Sequence, residues 1–311
     1  MTFLVTGGAG FIGSHLVEKL ITDEFHVICI DDLSTGFINY LPKSNSLMLI
    51  NDKIQSSNIS ELPQKVDGIF HLAAQASVPI SIDNFYKSSV NNLLGTLKVW
   101  DLAKEHDIPV VFASSSAVYG NLPLGDDQLE KYDILSPYAQ DKLTMEDYAR
   151  MCWKVYKTPS IGLRFFNVYG PRQDPTNPYS GVISIFIDSL MQKKQVTING
   201  GYQTRDFIYV KDIAKVMTQS MEYLFNKKSC EVLNVGTGKS ITIDHLLAKL
   251  ADILKVKPEI IMKELPLGDP EKSEGTYKKL KKILNIDTNQ FVKLDQGLIS
   301  TIEYIRGNQC L

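Results

Sequence analysis

The stretch ASSSAVYG, Ala113 to Gly120, sets three hydroxyls side by side on Ser114, Ser115 and Ser116, and SPYAQDK follows with Tyr138 and Lys142 four positions apart. Residues at i and i+4 share one face of a helix, and Pro137 suits the first helical position. An ammonium close to a phenol favours the phenolate, so Lys142 is expected to pull the Tyr138 pKa down from its usual value near ~10. A phenolate of that kind is a base for neutral pH. Ser115 closes the apolar run PVVFASS and would hold a substrate hydroxyl beside the phenol. Such a group takes a proton from an alcohol while an acceptor takes the hydride. By itself Y-x-x-x-K specifies little, since any helix can carry it as a surface pair.

The elements that must position these residues also suggest the acceptor. Apolar runs TFLVT (Thr2 to Thr6), HVICID (His26 to Asp31), GIFHLA (Gly68 to Ala73), PVVFASS (Pro109 to Ser115) and SIGLRFF (Ser160 to Phe166) alternate with helical patterns from Phe11, near Ser89 to His106 and from Pro137. Strands apolar throughout and separated by helices predict a doubly wound parallel sheet of Rossmann type in an α/β protein. Between the first strand and the first helix, VTGGAGFIGSHL places Gly7, Gly8, Gly10 and Gly13. Glycines there allow a tight turn and a close backbone approach to a pyrophosphate facing the helix N-terminus. The second strand ends in Asp31, where a carboxylate binds the adenosine ribose and repels a 2′-phosphate, so the expected cofactor is NAD rather than NADP.

After about Gly170 the alternation fails. GPRQDPTNPYSG has loop composition, and VTING, DFIYV, EVLNVG, a helix around Ile243 to Leu254 and another near Leu294 to Ile305 follow. The expected division is residues 1–170 as the NAD-binding domain and 171–311 mainly as a smaller C-terminal α/β substrate lobe, with later segments returning to the first domain.

Composition excludes other classes. The chain has 311 residues, 44% hydrophobic, with a net charge of −2 and the two signs mixed along the sequence, so no nucleic-acid partner is expected. Cys29, Cys152, Cys230 and Cys310 lie far apart without metal-ligand spacing and read as packed or incidental thiols; no metal site is expected. Met1 leads straight into strand and glycine loop, and no apolar run reaches the ~18 residues of a membrane span, which together point to the cytoplasm. His71 at a strand end reads as packed, VGTGKS (Val235 to Ser240) as a turn, and KKLKK (Lys278 to Lys282) as one solvated helix face.

TGGAGFIG, HLAA, SSSAVYG, SPYAQDK, RFFNVYGPRQ and QTRDFIYVKDIA together resemble the extended short-chain dehydrogenase/reductases of the NAD-dependent nucleotide-sugar epimerase/dehydratase family, and most of all the UDP-sugar 4-epimerases. The resemblance spans nearly the whole chain. It implies Ser115, Tyr138 and Lys142 as catalytic. For NAD it implies Gly7, Gly10, Phe11, Ile12 and Gly13 of the loop, Asp31 and Asp32 after the second strand, Asp52 at the adenine, Leu72, Ala73 and Ala74 of HLAA, and Asn92, Ser114 and Phe165. For the substrate it implies Ser77, Ser116, Asn167, Val182 and Arg205, the last a forked donor for the diphosphate or else one half of a surface salt bridge. It further implies a homodimer through helices near Ser89 to His106 and Tyr138 to Tyr156, and a nucleotide sugar as partner.

Relatives that dehydrate or decarboxylate carry an acidic residue just after the catalytic Ser/Thr, where this chain has Ser116 and Ala117. What remains is oxidation at C4, rotation of the keto sugar and return of the hydride to the opposite face. A second diphosphate arginine of the family is here Pro266, so either another base such as Arg172 or Lys263 substitutes or nucleotide affinity is lower than usual in the family. Where epimerases confined to plain hexoses carry a bulky Tyr, this chain has Ser273, which leaves room for a 2-acetamido group. A polar loop residue without contact is the bland alternative. UDP-GlcNAc and UDP-GalNAc are the expected substrates, with UDP-Glc and UDP-Gal beside them. Another nucleotide-sugar oxidoreductase or decarboxylase, and a non-catalytic NAD-binding regulator, stay open.

Overall fold

The computed structural model describes the chain apart from Ser60, Glu61, Pro63, Asn177, Pro178, Tyr179, Leu267, Cys310 and Leu311, and apart from the side chains of Asn308 and Gln309. Part of the GPRQDPTNPYSG loop and the Cys310 thiol therefore lie outside the described residues. In chain order the elements begin β1 (Thr2–Thr6), α1 (Phe11–Thr22), β2 (His26–Asp31), β3 (Leu47–Asn51), β4 (Gly68–His71), α2 (Val78–Asp83), α3 (Phe85–His106), β5 (Val110–Ser115), α4 (Pro137–Tyr156) and β6 (Ser160–Phe165). They continue β7 (Asn167–Tyr169), α5 (Val182–Met191), β8 (Val196–Asn199), β9 (Thr204–Tyr209), α6 (Val210–Asn226), β10 (Cys230–Val235), β11 (Ser240–Thr242), α7 (Ile243–Leu254), β12 (Ile260–Lys263), α8 (Lys278–Leu284) and α9 (Leu294–Gln309).

The chain divides into two compact units. The first comprises Met1–Val118, Ser136–Arg164 and Ile213–Leu233. Its parallel seven-stranded sheet runs in the order β10-β6-β5-β4-β1-β2-β3, the doubly wound order that places the first strand centrally. Strand side chains alternate between faces. Leu4 joins Val99 and Trp100 of α3 and Met145 and Ala149 of α4 in one cluster, with the Trp100 and Phe112 rings 5.7 Å apart. Phe3, its neighbour, points the other way, onto Phe70 at 5.4 Å and Phe225 of α6 at 6.3 Å. Each such side chain fully removed from water contributes about 1.5–3 kcal/mol. Ser136 caps α4, its hydroxyl accepting from Ala139 N at 3.2 Å, and Pro137 stands at the first turn.

The second unit comprises Tyr119–Leu135, Phe165–Asp212 and Asn234–Leu311. It holds a three-stranded sheet, β11-β9-β7, and a two-stranded one, β12-β8. Tyr169, Phe207 and Tyr209 of the larger sheet pack with Phe186 of α5, Leu246 and Leu250 of α7 and Leu298 of α9. The VGTGKS segment is a turn, as expected, and its donors are spent on Asp206, which is wholly buried. That carboxylate accepts from Thr237 N at 3.0 Å, Gly238 N at 2.8 Å and Tyr277 Oη at 2.5 Å. Leu280 anchors the KKLKK helix, with Lys278, Lys281 and Lys282 exposed and Lys279 half-buried.

Against the expected boundary at 170, Tyr119–Leu135 groups with the second unit, while 213–233 groups with the first as a later segment returning to it. The physical reason for the return is coverage: α6 brings Met221 and Phe225 against Gly68 and Phe3, and β10 adds the strand beyond β6.

Candidate active site

The glycine loop is built for close approach. Gly7 has φ +70°, and a methyl there would lie 2.7 Å from Ala73 N. A methyl on Gly13 would collide with the Gly7 carbonyl oxygen. Gly10 opens α1 with no side-chain cap, which leaves the first-turn amides of Phe11, Ile12 and Gly13 directed at the loop mouth. Asp31 is 8% exposed and accepts from Ala9 N at 2.8 Å and Leu33 N at 2.9 Å. A carboxylate offers about four lone-pair sites, so capacity for ribose hydroxyls remains. Burial pushes its pKa up, the amides of Leu33, Ala9 and Gly10 pull it down, and neighbouring Asp32 pushes it up again. Asp32 itself accepts from Ser34 N at 3.0 Å. An NAD pyrophosphate and ribose fit this cradle.

A buried network fixes the next loop. Thr96 Oγ1 donates to Asn92 O at 2.6 Å and so accepts from His71 Nε2 at 3.0 Å; His71 Nδ1 then accepts from Thr6 Oγ1 at 2.7 Å. Thr6 Oγ1 in turn accepts from Leu72 N at 3.3 Å and Ala73 N at 3.2 Å. Burial, with the Lys142 charge adding, pushes His71 down to about 3, so the ring stays neutral and packed, as expected. Ala74 continues the same loop.

Three expected contacts turn out otherwise engaged. Asn92 is 1% exposed, accepts from Gln75 N at 2.8 Å and donates to Asp141 Oδ2 at 2.9 Å, so it braces the loop from behind. Asp52 closes its own turn, accepting from Lys53 N at 2.7 Å and Ser56 Oγ at 2.9 Å. Ser77 caps α2, accepting from Ile80 N at 3.2 Å.

Ser115, Tyr138 and Lys142 come together where β5 ends and α4 begins. Tyr138 hydrogen-bonds Ser115, its amide donates to Ser81 Oγ at 3.2 Å, and Lys142 Nζ lies 5.7 Å from its ring centroid. Lys142 Nζ donates to Ala113 O at 2.7 Å, and Ala117 N donates to Ser115 Oγ at 3.1 Å. Ser116 starts a short 3₁₀ turn, Ser116–Tyr119. The expected fall in the Tyr138 pKa is corrected. Burial pushes it up, the Ser115 bond opposes this, and nearby Asp141 pushes it further up. Lys142 is itself pushed down to about 8 by burial, against the pull of Asp141 and Glu146.

Ser114, expected at the cofactor, is engaged with the first of two residues missed in the sequence, Glu146 and Arg164, which stand behind this group. Ser114 donates to Glu146 at 2.5 Å, and Arg164 grips both oxygens of Glu146, Nε at 2.8 Å and Nη2 at 2.6 Å. Glu146 is 0% and Arg164 2% exposed. The available signal was an arginine inside the apolar run SIGLRFF, since a charge there demands a buried partner.

In the second unit, Phe165 is buried, Asn167 begins β7, and Val182 begins α5 behind an uncapped Gly181. Arg205 on β9 is 6% exposed, donates to Thr204 O at 2.8 Å and pairs with Asp269, 64 positions on, which is not the surface pair with a neighbouring Asp weighed in the sequence. It uses part of a five-donor fork. Asp269 and Pro266 line a cavity of about 600 Å³ with Asn121, Leu265, Gly268 and Lys272. Ser273 is half-buried, and its carbonyl accepts from Ser240 Oγ at 3.0 Å. Lys263 is exposed on β12, and Arg172 is half-buried. Among the described residues no group of three His, Cys, Asp or Glu could hold a metal, and no helix is long and apolar enough to cross a membrane.

Comparison with known proteins adds the following. The family model for the NAD dependent epimerase/dehydratase family matches residues 3–236. The structure of a UDP-N-acetylglucosamine 4-epimerase from Methanobrevibacter ruminantium, in complex with UDP-N-acetylmuramic acid, is 35% identical, covers 99% of this chain and 98% of its own, and superposes with a TM-score of 0.91. That of a UDP-glucose 4-epimerase with UDP-glucose from Thermotoga maritima is 33% identical over 99% of this chain and 100% of its own, with a TM-score of 0.92. A UDP-glucuronic acid decarboxylase of Xenopus tropicalis is 30% identical over 97% of this chain and 72% of its own.

Proposed function

The chain belongs to the NAD-dependent epimerase/dehydratase family, and from that membership we propose that it is a 4-epimerase of UDP-sugars, acting on UDP-GlcNAc and UDP-GalNAc and also on UDP-Glc and UDP-Gal. The observation that carries the reaction is the identity of the two residues after Ser115. Ser116 and Ala117 offer no carboxylate, and the Ala117 amide donates to Ser115 Oγ, which leaves that hydroxyl its own proton to donate. The buried carboxylates nearest this group, Asp141 and Glu146, are held by Ser89, Asn92, Ser114 and Arg164. The resemblance implies that relatives which eliminate or decarboxylate use an acidic residue directly after the catalytic Ser/Thr, and this chain has none there. The similarity to a decarboxylase therefore carries less weight than the similarity to the two epimerases.

When bound, NAD supplies a reversible hydride acceptor. Tyr138 takes the proton of the sugar 4-hydroxyl and returns it at the end of the cycle. Ser115 orients that hydroxyl against the phenol and its hydrogen bond to Tyr138 opposes the rise that burial imposes, while Lys142 places an ammonium 5.7 Å from the ring centroid. The loop amides of Phe11, Ile12 and Gly13 hold the pyrophosphate and Asp31 the ribose, while Leu72, Ala73, Ala74, Ser114 and Phe165 line the cofactor. Arg205, kept in orientation by Asp269, binds the substrate diphosphate, with Asn167, Val182 and Ser116 as further substrate contacts.

The reaction is redox-neutral, which sets the experiment. Purified protein given UDP-GlcNAc without added NAD should form UDP-GalNAc to equilibrium, followed by anomeric proton NMR, with no reduced cofactor released. Conversion of neither N-acetylated nor plain UDP-hexoses would refute the proposal. Ser273→Tyr is expected to lose at least about tenfold in kcat/KM for the N-acetylated pair and to spare the plain pair, since a misfit of a few atoms in a pocket costs about 1–3 kcal/mol. Equal loss on both would sink the role of Ser273.

We also propose a homodimer. Tyr86 and Leu94 on α3 and Met151 and Val155 on α4 are exposed apolar side chains on two helices that pack together. Sedimentation should give a dimer, and Leu94→Asp with Val155→Asp should give a folded monomer.

A further inference from the structure

Lys142 is flanked on its own helix by two buried carboxylates, Asp141 beside it and Glu146 one turn on, 3% and 0% exposed. The charge of Glu146 is met by the bidentate grip of Arg164, 2.8 Å and 2.6 Å from its two oxygens. Asp141 is different. Its oxygens accept from Ser89 Oγ at 2.8 Å and Asn92 Nδ2 at 2.9 Å, both neutral groups on α3. Lys142 is the mirror case: 2% exposed, with its ammonium donating to the neutral carbonyl of Ala113 at 2.7 Å. Two buried groups of opposite charge, each satisfied by dipoles alone, thus occupy neighbouring positions in a medium where charge acts strongly through space.

Resting on the acid–base reading of Tyr138 and Lys142, we propose that Asp141 is the counter-charge of the Lys142 ammonium, a positioning residue that keeps this lysine protonated in the site and sets the pH range in which the Tyr138–Lys142 pair works. The surroundings leave few rivals. His71 of β4 is neutral, β5 presents the Ser115 hydroxyl, the Ala113 carbonyl and the Ser114 hydroxyl that donates to Glu146, and α3 presents Ser89 and Asn92. Arg164 of β6 and Arg150 of α4 both face Glu146, which raises Lys142 less than Asp141 does. Asp141 raises Lys142 against the larger effect of burial, and it also raises Tyr138. The sign follows: removing this one charge lowers both pKa values.

Asp141→Asn keeps the shape and can keep both hydrogen bonds while deleting the charge. The lysine ζ-nitrogen and tyrosine ζ-carbon signals of isotope-labelled protein, assigned with Lys142→Met and Tyr138→Phe, report the two titrations without any turnover. In Asp141→Asn the Lys142 midpoint should fall from about 8 by about one pH unit, and that of Tyr138 should fall with it. Unmoved midpoints would overturn the proposal. Ser89→Ala removes a hydrogen bond from Asp141 but not its charge, and should leave both midpoints in place; an equal displacement there would assign the effect to packing and equally overturn it. Asp141→Ser repeats the test if the Asn variant does not fold.

With a substrate that the wild type converts, the Lys142 and Tyr138 limbs of the kcat/KM profile should both move to lower pH in Asp141→Asn. A merely structural defect lowers the plateau without moving them. A wild type inert towards UDP-sugars would refute the proposed reaction and leave the titrations to decide the role of Asp141.

Discussion

Tyr138→Phe is expected to lower kcat by about 10³-fold with little change in KM, because it deletes only the proton acceptor. The ring sits at the N-terminal end of α4, where its amide donates to Ser81 Oγ at 3.2 Å and Ser136 caps the helix. Both bonds are independent of the phenol oxygen, so the fold and the cofactor cradle should survive. Co-purified NAD at wild-type stoichiometry together with a collapsed kcat would establish the role. Turnover within tenfold of wild type would remove Tyr138 from the chemistry, and an NAD-loaded protein inert from the outset would favour a regulator on the same scaffold.

Arg164→Ala is expected to destabilise the protein by about 3–5 kcal/mol, since it leaves Glu146 buried with its main cation removed. Glu146 is 0% exposed, and Arg150 reaches it only at 3.7 Å from a partly exposed position. Urea denaturation should show the midpoint falling with an unchanged slope. Arg164→Met combined with Glu146→Leu should recover most of the loss, because removing both charges also removes the desolvation penalty. A double variant as weak as the single one would mean that the pair, and not the avoidance of an orphan charge, stabilises the join of α4 to β6.

What the sequence disclosed was what is local. β1, β2 and the start of α4 lie where the apolar runs and Pro137 put them, and the Gly7 to Gly13 loop meets Asp31 because strand, turn and helix are consecutive. α6 was not foreseen, since β9 passes into it at Val210 with no Gly or Pro between them. Segments returning to the first unit were expected, but not which ones, because the return depends on Phe225 meeting Phe3 across more than two hundred residues. In the site, Ser115, Tyr138 and Lys142 were legible by spacing and are brought together. Asp141, Glu146 and Arg164 were not, because a buried charge is recognised by its partner, and Arg164 lies eighteen positions from Glu146 on another element. The direction of the Tyr138 shift was misjudged for a related reason: sequence shows the neighbouring ammonium but not the depth at which the phenol is buried.

The polypeptide changes unit after Val118, Leu135, Arg164, Asp212 and Leu233. Neither half is therefore a cassette. A gene fragment ending at Arg164 would encode the glycine loop and the Tyr138–Lys142 pair yet lack β10 and the stretch of α6 that covers Phe3. Shuffling the second unit between relatives would mean exchanging three separate stretches at once, five junctions in register, so new specificities in such a chain arise more readily by point substitution than by recombination of modules.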